Sequence, residues 1–489
     1  MMPRPFRSFA VPLAAAWLCL LAGCSVNPAT GERNFTGFMS PEKEIQIGRQ
    51  EHPKIQNQFG GAYQDRAIQS YVNDIGQALA RHSELPNLKF TFTVLNSDVV
   101  NAFALPGGYV YVTRGLIALA SNEAELAGVI AHEIGHVTAR HAAQRYSTTM
   151  ATQIGLGVLG VFAGGGIAEV GGAIAGPALK AYSRDQEFES DLLGIRYMNR
   201  AGYDPRAMST FLAKMQAHSQ IEAKLAGRQG ADQYNIMSTH PRTADRVARA
   251  METAAGTVPP VADPRLGVRD FMARIDGLLY GDDPAQGFVR GRSFIHPTLG
   301  FRFDVPPDFR MRNSPTKVAA SHPNGALIVF DQAGKPFSGS MTQYVGKVWG
   351  RTAKLQGLTP IRVSGFDAAT AITRMKTNRG TLDIRLVAVR WPEATIYRFL
   401  FATPPERTAA FSRGFQDTTY SLRPLPAGQA SSFRPLRVVT YRIKRGDTVA
   451  SLADRMAVRE LRRERFLALN GLRPDSRLRP GALIKLIGQ

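Results

Sequence analysis

His132-Glu133-Ile134-Gly135-His136 sets two imidazoles four residues apart with a carboxylate between them. On a helix, positions i and i+4 share a face about one turn apart, so both rings can reach one ion. Glu133 points into the same cleft and can take a proton from a water attacking there. The pattern reads as most of a catalytic zinc site; the alternative is a buried amphipathic helix whose histidines bond to backbone. The helix that must carry the motif starts at Ser121-Asn122-Glu123-Ala124-Glu125. Asn122 can cap it, with Glu125 completing a capping box. The apolar helical pattern then runs from Leu126 through Val137, which places the motif well inside the helix.

A catalytic zinc takes three protein ligands and keeps one position open. Downstream, Ser183-Arg184-Asp185-Gln186-Glu187-Phe188-Glu189-Ser190-Asp191 opens another helical segment. Glu187 and Asp191 fall on one face, whereas Glu189 points elsewhere. Glu187 is therefore the better third ligand, and Asp191 an orienter bonded to the free nitrogen of a ligand histidine. A solvated acidic face is the alternative. His141 lies nine residues beyond His132, on roughly the opposite side of the same helix, and His52 precedes Pro53 without partner spacing. Both read as structural.

HExxH followed by Ser-Arg-x-x-Glu-x-x-x-Asp resembles the gluzincin metalloproteases that include the CaaX prenyl protease and the bacterial HtpX membrane protease. Asn101-Ala102-Phe103-Ala104-Leu105-Pro106-Gly107-Gly108-Tyr109-Val110-Tyr111-Val112 is similar to that family's segment before the active-site helix. Ser238-Thr239-His240-Pro241, with Arg246 six residues after His240, resembles its downstream motif. The resemblance covers roughly residues 35–255. It implies a mainly α-helical, zincin-like α+β protease domain with one Zn2+ per chain on His132, His136 and Glu187, and Glu133 as general base. The added motifs also have direct physical readings. Gly108, Tyr109, Val110 and Tyr111 begin a β-rich run after a Pro-Gly-Gly turn; as an edge strand they would pair with an extended substrate, as an internal strand they would not. His240 can donate to a tetrahedral oxyanion, occupy the open zinc position, or be a plain turn histidine. Arg246 can assist the oxyanion or bridge a nearby acid.

Residues 1–23 read as a lipoprotein signal, with Arg4 and Arg7, an apolar core from Ala10 to Ala22, and Leu21-Ala22-Gly23-Cys24 resembling a lipobox. Cys24 would then be the acylated first residue, and Ser25 behind it is similar to lipoproteins sent to the outer membrane facing the periplasm. An ordinary secretory signal is the alternative. The two cysteines are Cys19 and Cys24, so the mature chain has no disulfide and no thiolate for zinc. The formal net charge of +21 stays strongly positive without Arg4 and Arg7 and should draw the chain to anionic lipid or wall polymer rather than to nucleic acid. Ile154 to Leu179 holds one charged residue, Glu169, but is rich in glycine, and reads as a hairpin or mobile cover beside the site rather than a membrane span.

The expected layout is a protease domain at 24–285, a small α+β domain of unknown role at 286–423, a linker at 424–437 and a βααβ module at 438–487. The protease domain should close with helices at about Thr243–Ala254 and Val268–Leu279, separated by Val258-Pro259-Pro260. In the second domain, strands are expected at Phe301–Val305, Ala326–Phe330, Leu382–Val389 and Thr395–Phe401, with helices at Ser340–Leu355 and Glu406–Thr419. That domain resembles small sandwich modules of the PsbP/Mog1 type. Tyr441-Arg442-Ile443-Lys444-Arg445-Gly446-Asp447-Thr448-Val449, Leu467-Ala468-Leu469-Asn470-Gly471-Leu472 and Leu478-Arg479-Pro480-Gly481-Ala482-Leu483-Ile484 together resemble a LysM module, which implies peptidoglycan binding. The expected function is a membrane-anchored zinc metalloendopeptidase acting on envelope proteins in quality control. A wall-tethered chaperone or scaffold with a latent site, or a peptidoglycan-peptide hydrolase, are the competing readings.

Overall fold

The computed structural model describes residues 24–150, 181–226, the positions 240, 246, 249 and 252, and 262–489 apart from 378, 379, 393 and 459. The leader 1–23, the stretch Ile154–Leu179, most of Thr243–Ala254, the Val258-Pro259-Pro260 linker and Ser238, Thr239 and Pro241 lie outside the described residues. No described helix is long and apolar enough to cross a membrane.

The ribbon β1 (Cys24–Val26) and β2 (Arg33–Phe35) opens the described chain. Helix α1 (Pro41–Gln58) is capped by Ser40, which accepts from the Lys43 N–H, and α2 (Arg66–Ala80) by Asp65. Strands β3 (Thr91–Leu95), β4 (Ala102–Leu105) and β5 (Tyr109–Thr113) form one sheet in the order β3-β5-β4. The edge reading of Gly108–Tyr111 is thereby corrected: β5 is central, parallel to β3 and antiparallel to β4. The reason is apolarity on both faces, since Val110, Tyr111 and Val112 are all buried.

Thr113 caps the short α3 (Arg114–Leu119), and Asn122 caps α4 (Glu123–Thr138), which is buried along its entire length. The expected capping box is only half made. Asn122 accepts from the Glu125 N–H at 2.8 Å, but the Glu125 carboxylate reaches back to the Ser121 N–H at 2.7 Å instead of the cap itself. After α5 (Arg184–Arg200), α6 (Arg206–Ala226) and α7 (Val268–Ile275), the chain turns into β6 (Leu279–Tyr280). Helix α7 ends four residues before the expected Leu279, because Asp276 is extended and Gly277 takes φ +80°.

Residues 288–424 build two antiparallel sheets. One has the order β17-β9-β8-β7, from β7 (Phe288–Arg290), β8 (Ser293–His296), β9 (Phe301–Asp304) and β17 (Arg423–Pro424). The other has seven strands: β10 (Arg310–Ser314), β11 (Lys317–Ser321), β12 (Leu327–Gln332), β13 (Gln356–Val363), β14 (Phe366–Thr377), β15 (Gly380–Arg390) and β16 (Ile396–Thr403). Phe301, Phe303, Phe330, Phe399 and Phe401 fill one core, joined by Phe415 of α9 (Thr408–Ser421). The long helix expected at Ser340–Leu355 is instead α8 (Met341–Gln343) and a wider turn through Trp349, stopped at Gly350. Residues 356–363 escaped sequence reading as a strand because β13 is an exposed, polar edge containing Pro360.

After α10 (Ala427–Ala430) comes the expected βααβ order: β18 (Leu436–Arg442), α11 (Val449–Asp454), α12 (Arg462–Asn470) and β19 (Leu483–Gly488). It does not stand apart. Strand β18 pairs with β19 on one side and with β6 on the other. Val438, Leu452, Phe466, Leu469 and Ile487 belong to the same apolar core as Ile75, Leu126, Ile130 and Phe271. Each such side chain contributes about 1.5–3 kcal/mol by leaving water, so separating the module from the helices would be costly.

Candidate active site

The site forms where α4 and α5 lie side by side. Two glycines permit that approach. A Cβ on Gly135 would meet the Ser190 carbonyl oxygen at 3.1 Å, and one on Gly194 would meet the His132 nitrogen at 3.1 Å and the Met208 side chain at 2.9 Å. The start of α5 is fixed by a full capping box between Ser183 and Gln186. Glu187 and Asp191 then face the two histidines of α4.

His132 Nε2 and His136 Nε2 lie 3.0 Å apart, and Glu187 Oε1 lies 3.4 Å from His136 Nε2. His240 joins them, with Nδ1 2.8 Å from Glu187 Oε1 and 3.3 Å from His132 Nε2. Ligand atoms of His132, His136, Glu187 and His240 all fall within 4.8 Å of one another, and all four residues are buried. Converging lone pairs at this spacing need a proton or a metal cation among them. Two nitrogens on one tetrahedral zinc, at bonds of about 2.0–2.1 Å, would be about 3.3 Å apart. The donor set therefore fits zinc.

Glu133 is fully buried, and neither carboxylate oxygen has a hydrogen-bond partner; its nearest charged neighbour is His240 Nε2 at 3.4 Å. Burial raises its pKa above the usual carboxylate value. That combination suits a group kept for proton transfer. Burial also drives the His136 pKa well down, keeping the ring neutral as a ligand must be. For Glu187, burial is outweighed by His240 and His136, which hold its pKa far below normal. His240 shifts upward, because the Glu187 and Glu133 carboxylates together outweigh its burial.

Asp191 Oδ1 lies 2.9 Å from His132 Nδ1, in contact but out of hydrogen-bond alignment. Arg246 grips Asp191 with two hydrogen bonds of 2.7 Å and also donates to Glu187. Its guanidinium is thus spent on the two acids of α5, the bridge that sequence left open beside an oxyanion role.

Three members were missed in sequence. His141 was assigned to the far side of the helix, but α4 ends at Thr138 and Arg140 takes φ +55°, turning the chain back. His141 Nδ1 therefore sits 2.7 Å from His136 Nδ1. Because His136 Nε2 faces the ligand cluster, its Nδ1–H donates to His141, whose Nε2–H donates to Glu189 at 3.1 Å. Glu189, expected to point elsewhere, also accepts from Asn27 at 2.7 Å. Tyr182 stacks on His136 with ring centroids 3.8 Å apart, under the Arg145 guanidinium. Its position just before the Ser183 cap was the one available signal. His52 stays outside: its Nδ1 meets the Tyr111 hydroxyl at 2.7 Å.

Beside His132, Val129, Met208, Phe211, Leu212 and Met215 line a small, mostly apolar pocket that Asp191, His240 and Arg246 close on its polar side. A larger polar cleft lies in the middle region among Ser340, Arg362, Asp367 and Arg390, where Arg362 pairs with Asp367 at 3.2 Å. Cys24 begins β1 and is half-buried.

Residues 66–254 match the model of peptidase family M48, and residues 441–486 match that of the LysM domain. The chain is 34% identical over 200 residues to the beta-barrel assembly-enhancing protease of Escherichia coli (strain K12), covering 39% of this chain and 39% of that protein. It is 28% identical over 237 residues to the mitochondrial metalloendopeptidase OMA1 of Schizosaccharomyces pombe (strain 972 / ATCC 24843), covering 46% and 65%. The chain thus spans less than half the length of the E. coli relative. Among solved structures, cyanobacterial PsbP from Synechocystis sp. PCC 6803 overlaps 28% of this chain and 98% of its own, at 10% identity and a TM-score of 0.23. Residues 66–254 are thus similar to peptidase family M48, and residues 441–486 to the LysM domain.

Proposed function

We propose that this chain is a zinc-dependent endopeptidase of the bacterial envelope, anchored to the outer membrane through a lipidated Cys24 and to peptidoglycan through its LysM domain. The observation that carries the reading is the buried ligand set His132, His136, Glu187 and His240 beside the unpartnered Glu133 carboxylate. The E. coli relative is named for assembly of β-barrels, and by extension the substrates here are envelope or outer-membrane proteins under quality control.

His132, His136 and Glu187 would hold zinc. When bound, the ion would polarise the scissile carbonyl and acidify an attacking water. Glu133 takes the proton from that water and delivers it to the leaving amine. Asp191 and Arg246 fix His132 and Glu187 from behind, while His141 and Glu189 fix the His136 tautomer. His240, whose pKa the Glu187 and Glu133 carboxylates raise, is placed to donate to the developing oxyanion. Asn27, three residues beyond Cys24, touches Glu189, so an acyl anchor would leave the chain close to the site.

One observation favours a second reading. His240 Nδ1 already lies among the ligand atoms, where it can fill the open position and keep the site latent. Casein cleavage by residues 24–489, with Glu133→Gln and His240→Ala variants, separates the two. Activity that Glu133→Gln abolishes is the expected result. Silence in the wild type with activity in His240→Ala would establish latency, and silence in all three with zinc bound would favour a scaffold.

A further inference from the structure

Two buried lysines meet at the start of the metal-bearing helix, and one of them comes from the LysM domain. Lys485, on β19, is completely buried and donates to the carbonyls of Ala118 at 2.7 Å, Leu119 at 2.9 Å and Ala120 at 2.5 Å. These are the closing carbonyls of α3 and the turn beyond it, which a helix cannot pair by itself. Lys214, on α6, donates to Leu119 O at 3.3 Å, Ser121 Oγ at 2.6 Å and Glu125 Oε2 at 2.5 Å. Glu125 lies in the first turn of α4 and also accepts from Thr210 at 2.9 Å.

Burial pushes the pKa of both amines down. Three acceptors nevertheless surround Lys485, and only the ammonium form has three N–H groups to give them. The charge also suits the negative end of α3. The opposite end of α3 is held by buried Arg114, which donates to Leu279 O at 3.1 Å and Gly281 O at 2.6 Å, beside β6. The same β6 pairs with β18 of the LysM domain. Asp276 Oδ1 accepts from the Thr440 N–H at 2.8 Å and from its hydroxyl at 3.0 Å.

We propose that the LysM domain is a positioning element of the metal centre, with Lys485 fixing the turn 119–122 from which the metal-bearing helix starts. His132 stands nine residues into that helix, and a rigid helix carries a tilt of its first turn to the ring. The catalytic consequence rests on the metallopeptidase reading; the effect on the metal site does not, because it can be read without turnover.

The test uses residues 24–489 with Lys485→Met and, at the rim of the docking surface, Asp276→Ala. Hydrogen exchange is followed across residues 114–126, zinc affinity by competition with a chelator, and ligand geometry by the visible spectrum of the cobalt-substituted protein. In Lys485→Met, exchange across 118–126 should rise, the cobalt spectrum should change, and zinc affinity should fall about tenfold, the lower end for residues that orient metal ligands. Asp276→Ala should raise exchange in the same turn to a smaller extent. A folded Lys485→Met protein with unchanged zinc affinity and cobalt spectrum overturns the proposal. If that variant fails to fold, Asp276→Ala decides: faster exchange at 118–126 supports the proposal and unchanged exchange overturns it. A wild-type chain that binds zinc but cleaves nothing would sink the peptidase reading and leave these readouts intact.

Discussion

Helix α4 carries a buried charge cluster near each end, and the two are built on opposite principles. At the start, Glu125, Lys214 and Lys485 spend every described donor on an acceptor within hydrogen-bond reach. Toward the other end, Glu133 and His240 Nε2 face each other at 3.4 Å, and neither makes a hydrogen bond among the described residues. An unpaired buried polar atom costs about 1–3 kcal/mol, so a fold retains it only where something else is gained. Burial alone thus does not distinguish a working group from a structural one. Satisfaction does: the paired cluster holds the helix, and the unpaired one is open to metal, water and substrate.

The sharpest break of this contrast is Glu133→Gln. Peptidase activity should fall by about 10²–10⁴-fold, the usual worth of a general base, with zinc still bound by metal analysis. The metal-free variant should meanwhile be more stable than wild type in urea unfolding at neutral pH, because the amide has no charge to desolvate. Glu125→Ala should do the reverse, costing about 3–5 kcal/mol of stability by stranding Lys214 in the interior, with the surviving folded protein still binding zinc. Loss of zinc binding from the folded fraction would erase the distinction between the two ends.

Smaller effects sharpen the comparison within the metal end. Arg246→Met removes the clamp on Asp191 and Glu187 and should weaken zinc binding by about 10–100-fold in chelator competition. His141→Phe, which frees His136 Nδ1 and Glu189 but leaves the acids of the clamp in place, should fall at about the tenfold end of that range. The smallest signal is in pH. Burial raises the Glu133 pKa above 4.5, so the neutral acid contributes stability below that value, and the contribution is lost as pH rises through the folded value. The melting-temperature difference between metal-free Glu133→Gln and wild type should therefore be near zero at about pH 4.5 and grow as pH rises.

What could be read early was local. The i, i+4 spacing aligned His132 with His136 and Glu187 with Asp191, because one helical period governs each pair. The Asn122 cap was legible for the same reason, whereas the Glu125 carboxylate went to Ser121 instead of completing the box. The strands β9, β12, β15 and β16 announced themselves through aromatic and branched residues. The polar edge β13 did not, and the helix expected to reach Leu355 stops six residues short, at Trp349, because Gly350 ends it.

His141 shows where such reading fails. An ideal helix would carry it to the opposite side, but the helix ends at Thr138, and a left-handed turn at Arg140 brings it behind His136. Glu189, Tyr182 and Asn27 reached the same cluster from separate segments, and β5 became central because β3 and β4 both closed on it.

By itself, then, the sequence determined the ligand types, their pairing along each helix and the order of the βααβ module, since backbone geometry over a few residues sets all three. Only the tertiary structure decided which atoms stay unpaired and which become locked. Lys485 meets Ala118 across 367 positions of chain, and no periodicity extends that far. Its place is fixed by the shared apolar core that brings the module against α3, after which a buried ammonium has no lower-energy choice than the three carbonyls in front of it.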